Sequence, residues 1–218
     1  MSPQQGKPRV LLVSLNSPPY FDEMYEGFID ALAEKAHVQR TKNPNTVRHI
    51  LAERPKAVLL TDGALTKPEN VSVWISVLDY VHGGGRAICM GMFSSLVSPP
   101  DLDPFFARSG LPWEMGAYVR TTVSLCRANI PPTALSLLPP AYSLKAIFLR
   151  GVGTDAAWYR STAESRSESL ASAGEQIALE STPVALANVG AGKLGYVGDV
   201  NNEGESQVII LAMCGLYL

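Results

Sequence analysis

The first half of the chain alternates short apolar runs with amphipathic segments. Runs that are bounded by turn-forming residues predict strands, at residues 9–15, 37–41 and 57–63. Segments with apolar residues at helical spacing predict helices between them, at residues 21–36, 46–53 and 71–82. Strands that alternate with helices along a sequence are typical of a parallel sheet.

A fourth apolar run, residues 86–90, follows a turn of three glycines and leads into a second turn. The run is continuous rather than alternating, which is typical of a parallel strand that helices cover on both faces. Ligands of such sheets bind where strands end and helices begin. We therefore predict a binding site in the second turn, with Met92, Phe93 and Ser94 among its substrate-binding residues.

The pattern changes after residue 95. A short helix is predicted at residues 102–109, and a helix at 205–218 ends the chain. Strand patterns dominate between them, at residues 118–125, 144–150, 158–161, 184–189 and 193–200. The Ser-, Ala- and Glu-rich segment 161–174 is predicted to be exposed.

Together these patterns predict an α/β fold. We expect one flavodoxin-like, doubly wound and mainly parallel sheet with helices on both faces, and extra antiparallel strands in the C-terminal half. No linker long enough to separate domains interrupts the sequence, so residues 1–218 are predicted to form a single domain.

The charge balance narrows the class of partner. The sequence has 18 basic and 20 acidic residues, a formal charge of −2, and no basic stripe. This composition argues against nucleic acid or an anionic membrane as a partner and favours a small-molecule ligand or substrate. No apolar run is long enough to cross a bilayer, and residues 1–8 do not resemble a signal peptide, so we expect a cytoplasmic protein.

Cysteine and histidine are too sparse and scattered for a metal centre. Cys89, Cys126 and Cys214 are odd in number and widely separated, which argues against a disulfide framework and predicts reduced thiols. The three histidines are also far apart in the sequence. The glycines at residues 83–85 stand between a helix and a strand, the reverse of a nucleotide-binding loop. We therefore expect neither a metal nor a cofactor.

Two short motifs carry a resemblance to a known family. The turn Gly91-Met92-Phe93-Ser94 and the strand Gly192-Lys193-Leu194-Gly195-Tyr196 resemble motifs of the class I glutamine amidotransferase-like superfamily, and within it of ThuA-like (trehalose-utilisation) proteins. Those proteins carry Gly-Leu-His-Ser-like and Gly-Arg-Val-Phe-Tyr-like sequences at these places. The segments 111–118 and 198–203 are also similar to those of fungal members of the superfamily. The resemblance covers nearly the whole chain in the order of its elements.

The resemblance allows two alignments of the strand that precedes the turn. In one, residues 87–91 match an Ala-Ile-Cys-x-Gly nucleophile elbow, and Cys89 is a reactive thiolate. In the other, the strand continues through Cys89, the turn begins at Gly91, and Phe93 stands where ThuA-like proteins carry histidine. Cys89 is then a small buried apolar residue. No histidine follows His82 in either alignment, so the resemblance implies a protein without the glutaminase triad.

Acidic residues at predicted strand ends are the other catalytic candidates. Asp62 ends the third strand, and Asp199 follows the last one at the position of the superfamily's triad base. Two carboxyls close together in an apolar cleft would raise one pKa and supply a general acid or base. Alternatively, Asp62 only caps a turn and Asp199 only shapes a loop.

Asn16, Tyr20 and Asn201 complete the candidate substrate-binding residues, and Asn16 and Ser94 have turn and cap formation as an equally weighted alternative. Three functions remain open. The first is a small-molecule-binding protein with acid–base or lyase-type chemistry at Asp199 or Asp62. The second is a hydrolase, hydratase or deglycase that depends on Cys89. The third is a non-catalytic protein that forms a homodimer through an exposed strand edge or its last helix.

Overall fold

The computed structural model describes residues 6–169, 172–179 and 181–217. The strands in this part of the chain are β1 (Arg9–Val13), β2 (His37–Thr41), β3 (Ala57–Leu60), β4 (Arg86–Cys89), β5 (Glu114–Leu125), β6 (Ala141–Arg150), β7 (Ala157–Arg160), β8 (Val184–Val189) and β9 (Gly192–Val197). The helices are α1 (Phe21–Met24), α2 (Glu26–Lys35), α3 (Pro44–Ala52), α4 (Val71–His82), α5 (Phe93–Leu96), α6 (Pro99–Ala107), α7 (Pro132–Leu135) and α8 (Gly204–Met213). Short 3₁₀ turns occupy Gly63–Thr66, Pro68–Asn70 and Arg127–Asn129.

All these strands belong to one sheet with the order β2-β1-β3-β4-β9-β8-β7-β5-β6. The first five strands in this order are parallel. The remaining pairings, from β9 to β6, are antiparallel. The α/β prediction is therefore confirmed, but the sheet is mixed rather than mainly parallel.

The change from parallel to antiparallel pairing has a local cause at the turn between β8 and β9. Gly190 adopts φ +58°, a left-handed conformation that glycine tolerates well, and the chain reverses at once. Val189 consequently pairs with Gly192 at the end of the hairpin. A hairpin leaves β8 no alternative to antiparallel pairing, whereas β9 still pairs with β4 in the parallel sense.

Side chains of the parallel strands alternate between two apolar cores. In β1, Val10 and Leu12 point to the core that contains buried residues of α2 and α8. Leu11 and Val13 point to the core that contains buried residues of α3, α4 and α6. Helices therefore cover both faces of this half of the sheet, which explains why its strands read as continuous apolar runs.

The last antiparallel strand turns back towards the parallel half. The backbone N–H of Ile147 in β6 donates to the carbonyl of Gly198, just after β9, with an N–O distance of 3.0 Å. The N–H of Leu149 donates to the carbonyl of Thr182, just before β8, at 2.9 Å. These bonds bring β6 to the carboxyl end of β9, beside the predicted site.

Two predicted segments differ from the structure. The predicted helix 21–36 is divided into α1 and α2 at Tyr25, whose buried ring stacks on Phe21. In the segment 161–174, predicted to be exposed, the side chains of Ser161, Ser165 and Ser167 are buried. The Ser165 hydroxyl donates to a β5 carbonyl at 2.8 Å, so polar residues here attach a loop to the sheet. Residues 170 and 171 lie outside the described part, as does the end of the predicted helix 205–218.

None of the helices formed by the described residues is long and apolar enough to cross a bilayer.

Candidate functional site

Asp62 joins the loops that follow β1 and β3. Its side chain is buried, and its Oδ2 accepts hydrogen bonds from the backbone N–H of Asn16 at 3.0 Å and the Ser17 hydroxyl at 2.9 Å. Its Oδ1 accepts from the N–H of Ala64 at 2.9 Å, which caps the following 3₁₀ turn. The carboxylate thus holds two strand ends in a fixed relation and remains an acceptor at the rim of the sheet.

A cavity of about 400 Å³ opens beside Asp62, and we call it the β1–β3 cavity. It is lined by Leu15, Asn16, Lys42, Pro44, Asp62, Gly63, Ala64, Lys67, Glu69, Asn70 and Leu96. Lys42 is exposed after β2, whereas the Lys67 amine is held at 2.7 Å from the Asp101 carboxylate. The lining therefore combines two cationic groups with two carboxylates and two amides, which suits a polar ligand.

A second cavity of about 360 Å³, the β4–β5 cavity, lies between the segments that follow β4 and β9 and the strands β5 and β6. It is lined by Ser94, Ser95, Val97, Pro99, Met115, Gly116, Tyr118, Ile147 and Val200. The Ser94 hydroxyl donates to the hydroxyl of Tyr196 at 3.1 Å, and Tyr196 donates to the carbonyl of Ile147 at 2.9 Å. Burial raises the pKa of Tyr196, so this hydroxyl stays protonated and ties β9 to β6.

Asp199 lies apart from the β1–β3 cavity, between the start of α8 and the buried rings of Tyr25 and Tyr142. Burial raises the pKa of its carboxyl, while the nearby Ser206 hydroxyl and hydrogen bonds from two backbone N–H groups partly oppose that effect. Those N–H groups belong to Asn201 at 2.8 Å and Glu203 at 2.7 Å. The structure thus gives Asp199 a clear structural role in folding the loop before α8.

The Arg120 guanidinium of β5 forms an ion pair with Glu203, just before α8, at 2.5 Å.

Cys89 is the last residue of β4 and is completely buried in an apolar core. Burial raises the pKa of its thiol well above the usual value. The strand-to-helix turn comes two residues later, at Gly91, which adopts φ +66°. A nucleophile elbow presents its reactive side chain at such a turn, and glycine has none to present.

The three histidines of the chain lie near the amino ends of the parallel strands, whereas these cavities lie at the carboxyl ends. His37 begins β2, and His82 ends α4 just before the turn into β4. His49 contacts Glu53, which in turn pairs with Arg9 at the start of β1. Since the cavities lie at the carboxyl ends of the strands, no histidine is placed to act with Cys89.

The remaining predicted site residues are scattered. Asn16 and Asp62 share the β1–β3 cavity, whereas Ser94 lines the β4–β5 cavity. Met92 and Phe93 are buried in the two apolar cores, where Phe93 packs against Phe105. Tyr20 and Asn201 are exposed.

Sequence reasoning missed Lys42, Lys67 and Asn70 in the lining of the β1–β3 cavity. A usable signal was their position in polar segments that follow β2 and β3. Their neighbourhood also depends on the 3₁₀ turns after β3, which hydrophobic periodicity does not reveal. Among residues 6–169, 172–179 and 181–217, no group of three or more His, Cys, Asp or Glu side chains is arranged to hold a metal ion.

Comparisons with known proteins place the fold. No protein-family model and no curated protein sequence matches the chain. Among solved structures, a ThuA-like protein from Bacteroides uniformis superposes with a TM-score of 0.66 at 8% identity, covering 95% of this chain and 91% of that one. A ThuA-like protein from Parabacteroides merdae gives a TM-score of 0.59 at 13% identity and covers 97% of this chain and 90% of its own.

A GMP synthase component from Thermoplasma acidophilum also superposes, with a TM-score of 0.54 at 12% identity, over 96% of this chain and 94% of that protein. At these identities the similarity is one of fold. The chain thus has the fold of ThuA-like and amidotransferase-like proteins.

Proposed function

We propose that this chain is an amidotransferase-like protein that binds a small polar molecule in the β1–β3 cavity and has no glutaminase activity. The position of that cavity in the sheet supports the assignment. The order of the parallel strands, β2-β1-β3-β4-β9, supports the proposal of a doubly wound arrangement for this half of the sheet. Connections leave β1 and β3 in opposite directions, and a crevice for ligands forms at such a switch point.

The lining suggests the chemical class of the ligand. Lys42 favours a molecule with an anionic or strongly electronegative group, whereas Lys67 is already paired with Asp101, and Asn70 and Asp62 can bind hydroxyl or amine groups. The Asp62 carboxylate has about four acceptor sites, and the hydrogen bonds described above occupy three of them. Because Asp62 lines the cavity and Asp199 does not, we assign to Asp62 any acid–base step that occurs on the ligand.

Neither cysteine chemistry nor a glutaminase reaction enters this assignment. The Cys89 thiol is buried and its pKa is raised, and the histidines lie near the amino ends of the parallel strands. A hydrolase that used Cys89 would need both a path to the thiol and a base beside it.

Blocking the cavity tests the assignment. Asn16 contributes its backbone N–H to Asp62, while its side chain is exposed and lines the cavity. Asn16→Trp should therefore keep the hydrogen bond and fill the space. We would screen sugars, polyols, amino acids and small carboxylic acids by saturation-transfer NMR. Compounds that bind the wild-type protein should lose most of their signal with Asn16→Trp.

Gln39→Trp is the matched control, because Gln39 is exposed on β2 outside the cavity lining. This variant should bind the same compounds as the wild type. If Asn16→Trp retained the wild-type signals, or if the wild type bound none of the four compound classes, the β1–β3 cavity would not be the ligand site.

A further inference from the structure

A third cavity lies in the antiparallel half of the sheet, far from the β1–β3 and β4–β5 cavities in the fold. It has a volume of about 400 Å³ and is lined by Ser124, Leu125, Cys126, Arg127, Ala128, Asn129, Thr154, Arg160 and Thr162. We call it the β5–β7 cavity.

The cavity forms because β5 and β7 separate after a very short pairing. Ser124 pairs with Arg160 and Leu125 with Tyr159, and the N–H of Cys126 then donates to the carbonyl of Trp158 at 2.8 Å. Beyond this bond the β5 chain turns into the 3₁₀ turn Arg127–Asn129 and leaves the sheet. A gap therefore opens between the two strands.

One half-buried amide fixes the walls of this gap. The Asn129 side-chain NH₂ donates to the carbonyls of Thr154 and Ala157, both at 2.6 Å. These bonds tie the turn after β5 to the loop before β7. The cavity is thus held open by specific hydrogen bonds, and it is formed before any ligand binds.

The charge of the lining has one sign. Arg127 and Arg160 line the cavity, and the lining residues within the described chain include no carboxylate. None of the ion pairs between described residues involves either arginine. Thr154, Thr162 and Ser124 add hydroxyl groups, while Leu125 and Ala128 add a small apolar surface. A guanidinium group presents paired donors that match the oxygens of a carboxylate or phosphate.

We propose that the β5–β7 cavity binds a small organic oxyanion, with its carboxylate or phosphate group at Arg127 and Arg160 and its carbon skeleton against Leu125 and Ala128. This site is separate from the one proposed above for the β1–β3 cavity.

Cys126 supplies a reporter inside this cavity. Its thiol is half-buried, whereas those of Cys89 and Cys214 are completely buried. Burial raises the pKa of the Cys126 thiol, and the nearby Arg160 acts in the opposite direction. We therefore expect thiol reagents to modify Cys126 first in the folded protein, and Cys126→Ser to define the background rate.

The test compares an anionic reagent, dithionitrobenzoate, with the neutral reagent dithiodipyridine. The double variant Arg127→Gln/Arg160→Gln should lower the ratio of the anionic to the neutral rate by about tenfold, because each exposed charge near a reacting anion contributes roughly a few-fold in water. The ratio isolates anion binding, since a change in thiol pKa slows both reagents alike. Arg48→Gln, an exposed arginine on α3, is the matched control and should leave the ratio unchanged.

Competition completes the test and identifies the anionic group. Inorganic phosphate or succinate at millimolar concentration should slow the anionic reagent on the wild type more than sodium chloride of equal ionic strength does. The stronger competitor shows whether phosphate or carboxylate is preferred. An unchanged rate ratio in the double variant would overturn the assignment, and so would protection no greater than that given by chloride.

Discussion

Burial raises the pKa of the Asp199 carboxyl above its usual value. The folded protein therefore retains this proton to a higher pH than the unfolded chain, in which the pKa is about 3.9. A group of this kind contributes stability that is complete below the unfolded pKa and is lost as the pH rises through the folded pKa. Asp199 thus makes folding less favourable at neutral pH than in mild acid.

Asp199→Asn removes the titrating group and should change the pH dependence of stability. We expect the difference in free energy of unfolding, wild type minus variant, to fall as the pH rises from about 3.9 through the folded pKa. The total fall should be about 1.4 kcal/mol for each tenfold difference in proton affinity between the folded and unfolded chains. Urea unfolding of both proteins at a series of pH values measures it.

Asp30→Asn is the control for this series, because Asp30 is exposed on α2. Its stability should follow the wild type at every pH. A wild-type minus Asp199→Asn difference that rose with pH would mean that the folded protein favours the charged form, contrary to the effect of burial.

At the residue scale, two of the residues predicted from the sequence, Asp62 and Asn16, line the same cavity. Asp62 and Asn16 were predicted because polar residues that follow parallel strands meet at one edge of the sheet, and the structure joins them by a hydrogen bond. Met92 and Phe93 follow β4 in the same way, but their side chains pack into the cores. The direction of a side chain in a turn depends on backbone angles such as the positive φ of Gly91, which residue type alone does not give.

Among the elements, strand β9 lies between β4 and β8, where it approaches the backbone at the end of α4 closely. It begins at Gly192, where an added Cβ would overlap the carbonyl oxygens of Val81 and Gly85. Those oxygens belong to the backbone around the end of α4, so they cannot rotate away as a side chain could. Glycine is therefore required for the close approach of β9 to this turn.

Gly192→Ala should destabilise the protein by about 1–3 kcal/mol, the usual cost of forcing extra atoms into a packed region. The lowered urea midpoint should come with an unchanged dependence on urea concentration. Gly204→Ala, at the start of α8, is the matched control because its added Cβ meets no atom within 4 Å. In a helix the same substitution should raise stability by roughly 0.5–1 kcal/mol. Equal effects of the two substitutions would contradict the steric explanation.

Local pattern predicted the elements far better than it predicted their pairing. The bounds of β2 and α4 agree with the predicted segments 37–41 and 71–82, because clear periodicity and turn residues mark both ends. The pairing of β9 with β4 joins segments about a hundred residues apart. Neither segment contains a local pattern that specifies the other as its partner strand. The antiparallel half was predicted as a set of strands, but its order in the sheet required the structure.

At the scale of the whole molecule, β9 connects the parallel and antiparallel halves through continuous hydrogen bonding. Tyr196 adds a side-chain link from β9 to β6. Apolar core residues from both halves also belong to the same clusters. We therefore expect the two halves to unfold together, as residues of one domain do.

Tryptophan fluorescence can test this cooperativity. Trp74 reports on the parallel half, where it stacks on Phe105, and Trp158 reports on the antiparallel half in β7. Each can be made the single reporter by replacing the other tryptophans with Phe. Within each variant, the urea midpoints from fluorescence and from far-UV circular dichroism should coincide. A fluorescence transition at lower urea for one reporter would mean that its half unfolds separately.

Homodimer formation stays a prediction at this scale. Six of the ten residues of α8 are buried within the molecule, and Val208 is the exposed large apolar residue of this helix. The edge strand β2 has exposed residues at alternate positions and remains the candidate edge for pairing with a second copy.

The late position of β9 in the sequence also has a consequence during synthesis. About a hundred residues separate the end of β4 from the end of β9, so a ribosome working at roughly 5–20 residues per second needs about 5–20 s to deliver the missing neighbour. Throughout that interval the nascent chain presents β4 as an open, apolar edge. Chaperone capture on the ribosome should therefore concentrate on residues 86–89 and end once the hairpin of β8 and β9 has emerged.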